Sequence, residues 1–456
     1  MLEGPTLEEL APELASGRTT SRALVEECLA RATDDAGEGV RVFTHLDSES
    51  ARLTADAMDR LRKAGAPLSR YAGIPISVKD LFDIEGHVTC AGSIVLRDAP
   101  PASADATAVA RLRRAGFVVI GRTNMTEFAY SGLGINPHYG TPRNRWRRDQ
   151  GHIPGGSSSG AAISVTDGMA HAALGSDTGG SCRIPAAFTG LVGFKPTAHR
   201  IPLHGALPLS SHLDSIGSIA RTVSCCAIMD SVLSDTPIET LLPRNIDDLR
   251  LAVPVGVALN DLDDEVAAAF DAALHRLLAK GVRIDRVPVP EFDEVSTINS
   301  KGGFTAAESY AWHRRLLSTQ RDRYDPRVAI RIERGTEQSA ADYIDLLAAR
   351  ASLIERARRR IASYDAIVLP TVALTPPRIS DLESDEAYGC ANLLSLRNCT
   401  LINMMDGCAI SLPIHKPGEA PVGLMLAASA DADGHVLSMA ALLEPVVAQR
   451  AARDCQ

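Results

Sequence analysis

The chain has 456 residues, 45% of them apolar and 23% charged, with a formal net charge of −9. That balance is ordinary for a globular enzyme, and the acidic excess excludes nucleic acid or an anionic membrane as a partner drawn in by charge. No stretch reaches the roughly 18 apolar residues of a membrane span, and MLEGPTLEELAPELASG lacks a basic leader followed by an apolar core, so the expectation is a cytoplasmic protein. Nine cysteines, an odd number without paired spacing, suit free thiols in a reducing compartment; Cys390 and Cys399 are the pair that spacing alone leaves open.

In chain order, residues 50–82 read as a loose helix–glycine–strand unit. Residues 105–124 repeat it more clearly, as an amphipathic helix, a stop at Gly116 and a strand. Strand-like LRLAVPVG (249–256) follows, then a third unit over 263–290, where Val266, Phe270, Leu274 and Leu277 mark one helical face and Gly281 ends the helix. Residues 290–340 are less regular and read as lid or pocket wall. A long helix with a charged outer face is predicted over 341–364, then a strand at 366–374. Residues 375–400 are again irregular, and strands are predicted at 409–414 and 422–428. Helices alternating with apolar strands imply an α/β sheet covered on both faces. No linker interrupts the pattern, so residues 1–456 read as a single large domain.

Three stretches could carry chemistry. GGSSSG (155–160) contains G-x-S-x-G centred on Ser158, but no strand precedes it, which argues against a nucleophile elbow. Neither a Walker loop nor G-x-G-x-x-G is present, so nucleotide binding has no support. Lysine is scarce, at six residues, and Lys79 ends the apolar run GIPISVK. A buried ammonium is costly and tends to become a neutral amine, which is a competent base. Asp80 would oppose this, except that consecutive side chains of a strand point to opposite faces. On spacing alone, a lysine reaching solvent from a strand end is the favoured reading. The histidines show no metal-binding spacing, so neither metal nor cofactor is expected.

Taken together, the order Ser77-Val78-Lys79-Asp80, then Gly155-Gly156-Ser157-Ser158, then GSDTGGSCRIPA (175–186) resembles the amidase signature family. The resemblance is dense over about 70–225, including GRTNMTEFA (121–129), GLVGFKPT (190–197) and LDSIGSIARTV (213–223). It thins towards YDAIVLPT (364–371), Asn403 and PVGLML (421–426), and the more variable wall segments fall at about 290–400. The resemblance implies a central mixed β-sheet with helices on both faces. It implies an amidohydrolase that cleaves the C–N bond of a small carboxylic amide through an acyl-enzyme, without cofactor. The implied triad is Ser181 as nucleophile, Ser157 as the bridging serine on a cis peptide bond, and Lys79 as base. Backbone N–H groups of Thr178, Gly179, Gly180 and Ser181 would form the oxyanion hole. Ile184 is expected to touch substrate. Two alternatives stand beside this: one component of a glutamyl-tRNA amidotransferase, working with a partner subunit, and an inactive binding protein on the same fold. A homo-oligomer is compatible with all three. The chain departs from the family at Ser159, where the usual GGSSGG has glycine, and at Cys182, expected to point into the core.

Overall fold

The computed structural model describes residues 4–237 and 245–449; Cys455 lies outside them. The three helix–glycine–strand units form as the sequence patterning predicts. Helix Thr107–Arg114 is followed by Gly116 and strand Val118–Thr123, and helix Asp264–Ala279 by Gly281 and strand Arg283–Pro288. Both glycines have positive φ, 87° and 89°, which lets the chain reverse off the helix end without a Cβ clash. The loose first unit resolves into helix Ser48–Lys63 and strand Pro75–Lys79.

Eleven strands join one mixed sheet. In chain order they are β1 (Phe43–Leu46), β2 (Pro75–Lys79), β3 (Val118–Thr123), β4 (Ala172–Asp177), β5 (Val192–Lys195), β6 (Ser215–Ala220), β7 (Arg250–Val255), β8 (Arg283–Pro288), β9 (Ala366–Pro370), β10 (Cys408–Pro413) and β11 (Gly423–Ala428). Across the sheet the order is β1-β3-β2-β4-β6-β5-β10-β11-β9-β7-β8. β2 runs parallel to β3 and β4, whereas β4, β6, β5, β10 and β11 alternate antiparallel. Every residue of β2, β4, β5, β6, β9, β10 and β11 is buried, as a sheet covered on both faces requires. Helices supply the two apolar layers.

The two segments expected to be irregular are mostly helical. Residues 290–340 hold helices Pro290–Ile298, Gly303–Gln320 and Pro326–Glu333, and Asp385–Met404 occupies much of the second segment. Two of them have buried faces too polar for a hydrophobicity pattern to reveal. Helix Gly303–Gln320 buries Ser309 and His313 beside Phe304 and Leu317, and Asp385–Met404 buries Asn392, Ser395, Asn398 and Asn403. The same helix settles the cysteine pair: Cys390 and Cys399 are both free, and nine residues of helix separate their backbones by about 13 Å, beyond disulfide reach. Helix Ala340–Ile361 buries Leu346, Leu353, Ala357 and Ile361, a single face. Among the described residues no helix is long and apolar enough to cross a membrane.

Candidate active site

The parallel pairing of β2 with β4 sets Val78 beside Leu174, so the carboxyl end of β2, with Lys79, meets the end of β4, with Ser176 and Asp177. Ligands of open α/β sheets collect at such strand ends. Lys79 is fully buried, which corrects the solvent-reaching lysine favoured on spacing alone. Its Nζ lies 2.7 Å from Ser157 Oγ and 2.8 Å from Ser176 Oγ. Asp80 points the other way, as strand geometry demands, and pairs with Arg122 at 2.7 Å. Burial dominates the lysine and lowers its pKa to about 8, against weaker opposing fields from Cys182, Asp177 and Asp214. The Ser176 contact was not foreseen; the alternation of β4, which turns Ser176 to the same side as Lys79 and Asp177 away from it, was the signal available.

Ser157 precedes helix Ser159–Thr166, and the Gly156–Ser157 peptide is cis. Its carbonyl accepts the amides of Thr126 and Ser159, each at 3.0 Å, and the Gly156 amide bonds Gly132 O at 2.8 Å. A bond of 2.8 Å between the hydroxyls of Ser77 and Ser164 pins the helix to β2. Ser158 reaches back towards the Ser176 carbonyl at 3.4 Å and has no elbow geometry, since no strand leads into it. Ser159 is buried, its Oγ 3.4 Å from the Asn124 carbonyl; it packs the loop and does not line the cleft described below.

Ser181 lies between β4 and helix Arg183–Thr189, 3% exposed. Among the described residues no hydrogen bond joins its hydroxyl to Ser157. The turn before it is held from inside by Asp177, which accepts the amides of Gly180 at 2.8 Å and Cys182 at 3.1 Å and pairs with buried Arg183 at 2.8 Å. Arg183 holds the Asp177 carboxyl well below the usual carboxylate range despite complete burial. This corrects the expected oxyanion hole in one respect. The Gly180 N–H is already donated to Asp177, which leaves Thr178, Gly179 and Ser181. Gly180 itself is required: its φ is 125°, and a Cβ there would come within 2.6 Å of Ile184 Cδ1.

Ile184 is fully buried in the core with Leu133, Phe188 and Cys399, packed under the glycine turn. Cys182 points into the core as expected, against Gly175 and Gly217, and burial pushes its thiol pKa well up. Asn124 bonds the carbonyls of Arg41 and Gly140, and His152 lies in a loop with its Nδ1 2.6 Å from Pro376 O.

A cleft meets this turn at Thr178. It is lined by Ser176, Thr178 and Asp214 among apolar Leu81, Ala129, Leu203, Leu207, Leu209 and Ile216. Asp214 is buried, and desolvation raises its pKa to about 6 against the hydrogen bonds it accepts. Among the described residues no three His, Cys, Asp or Glu side chains converge in a metal-binding arrangement.

A family model described as Amidase matches residues 23–437. The chain is 36% identical over 450 residues to 2-amino-5-chloromuconic acid deaminase of Comamonas testosteroni, covering 97% of this chain and 96% of that one. It is 32% identical over 494 aligned positions to a glutamyl-tRNA(Gln) amidotransferase component of Streptomyces coelicolor, covering 98% and 96%. A crystal structure of an amidase superposes with a TM-score of 0.88 at 32% identity, covering 97% of this chain and all of that one. The chain belongs to the amidase signature family and is an enzyme that cleaves amide carbon–nitrogen bonds.

Proposed function

We propose that Ser181, Ser157 and Lys79 act as nucleophile, bridge and base on a small carboxylic amide. The observation that carries the reading is the fully buried Lys79 amine, 2.7 Å from Ser157 Oγ and 2.8 Å from Ser176 Oγ. A neutral amine has two N–H donors and one lone pair. Donating to Ser176 leaves the lone pair for the proton of Ser157, whose oxygen in turn takes the proton of Ser181. Ser181 Oγ then bonds to the amide carbon. The developing oxyanion lies towards the free N–H groups of Thr178, Gly179 and Ser181. The C–N bond breaks as the relay returns a proton to the leaving nitrogen, and water cleaves the resulting ester by the same route. The Ser181–Ser157 hydrogen bond forms when substrate is bound, since catalytic hydrogen bonds are often long in the free enzyme.

The apolar cleft wall favours an aliphatic or aromatic acyl group over a charged one. The amidotransferase reading has one observation in its favour, the similarity to a protein of that name; ammonia release by the purified chain alone would dismiss it, and dependence on a co-purifying partner would establish it. Eight free cysteines among the described residues support a cytoplasmic site of action. The test of the triad is mass spectrometry of the enzyme quenched with an amide, or treated with a fluorophosphonate. The adduct is expected on Ser181, and an adduct on any other residue would overturn the assignment.

A further inference from the structure

We propose that Asp214 is a positioning residue for catalysis, clamping the Thr178–Ser181 turn to the wall of the cleft and so setting the direction of the turn's free amides. The inference rests on the reading of Ser181 as nucleophile. Asp214 immediately precedes β6, whose Ser215 pairs with Asp177 at the end of β4. One carboxylate oxygen accepts the Thr178 hydroxyl at 2.5 Å. The other accepts the amides of Leu209 at 2.9 Å and Ser210 at 3.1 Å. Thr178, Asp214 and Leu209 all line the cleft, and the wall segment is tied to the end of β2 by Leu207 N–H donating to Leu81 O at 2.9 Å.

The turn is thus held from two sides by two carboxylates. Asp177 works inside the core, neutralised by Arg183. Asp214 works on the substrate side, where Lys79 and Glu308 are the charged groups whose fields it shares. A carboxylate buried among leucines costs free energy unless each oxygen is bonded, and here each oxygen is. Hydrogen bonds to a charged acceptor are roughly twice as strong as neutral ones, so the Thr178 side chain is fixed tightly. The Thr178 and Gly179 amides must aim at an oxygen that exists only in the transition state. A small rotation of the turn therefore lowers turnover while leaving ground-state binding nearly intact.

The experiment is a double-mutant cycle of Thr178→Val and Asp214→Ala on one amide substrate, with Thr178→Ser and Ser181→Ala beside it. Each of the first two is expected to lower kcat by about 10- to 100-fold, within the loss of one oxyanion donor, with KM changed by less than about threefold. The double variant is expected to be no worse than the weaker single, because both break one link. Thr178→Ser, which keeps the hydroxyl, is expected to recover most of the loss. Additive losses, a loss confined to KM, or a serine variant as poor as the valine variant would each overturn the proposal. If Asp214→Ala does not fold, the valine–serine pair and its kcat–KM split decide alone. An active Ser181→Ala enzyme would instead overturn the nucleophile assignment, so the two failures are distinguishable.

Discussion

Two lysines of this chain are buried at strand ends, Lys79 on β2 and Lys195 on β5. Desolvation lowers the pKa of both. Lys79 meets two serine hydroxyls, whereas Lys195 donates to the carbonyl of Pro196 at 2.6 Å, in the field of Asp177 and Asp433 and opposed by Arg183. A carbonyl has no proton to give, so a neutral Lys195 would have nothing to deprotonate. Burial makes a lysine a potential base; the partner at its nitrogen decides whether it becomes one.

The sharpest way to break this comparison is to remove each member of the proposed relay. Ser181→Ala should abolish turnover, and Lys79→Ala and Ser157→Ala should each lower kcat by several orders of magnitude in proteins that still fold by circular dichroism, since a cooperating unit loses most of its effect with any member. Near-normal activity in folded Ser181→Ala would end the assignment. Lys79→Arg should be equally dead, because guanidinium stays protonated.

The pH profile sharpens it next. The lysine's folded pKa lies near 8, below its ordinary value, and the active form is the neutral one. On a non-ionising amide, kcat/KM should therefore fall about tenfold per unit below pH 8, rise through it, and level off well before 10.4, the ordinary lysine value. The apparent value belongs to the coupled serine–lysine site. A profile flat from pH 6 to 9 would contradict a lysine base.

Smaller effects should follow at the other lysine. Lys195→Met is expected to keep kcat/KM within about tenfold, ~1.4 kcal/mol, with the midpoint near pH 8 unmoved, while lowering the thermal midpoint by leaving Asp433 without that charge. A shifted midpoint would show that the two lysines are electrically coupled. The smallest change belongs to Cys182→Ala, which removes only core packing against Gly175 and Gly217. Its rate should stay within a few-fold, and its complete inactivation beside an active Ser181→Ala would reverse the identity of the nucleophile.

The proposed triad came from the family resemblance, carried by three local motifs; spacing alone favoured a Lys79 that reaches solvent. Lys79 ends an apolar strand, Ser157 follows a double glycine, and Ser181 follows another. Residues whose roles depend on distant partners were not legible. Ser176 reaches Lys79 across 97 positions and Thr178 reaches Asp214 across 36. Helices Gly303–Gln320 and Asp385–Met404 escaped because their buried faces carry asparagine, serine and histidine.

The sequence by itself determined the alternation of helix and apolar strand, the glycine reversals and the placing of a lone lysine within a strand, since these depend on periodicity and backbone freedom a few residues at a time. Only the tertiary structure decided which hydroxyls meet that lysine, which carboxylate takes the Gly180 amide and which faces the cleft. Those outcomes follow from the strand order β2-β4-β6, and strand order is set by which apolar faces pack together across the whole chain.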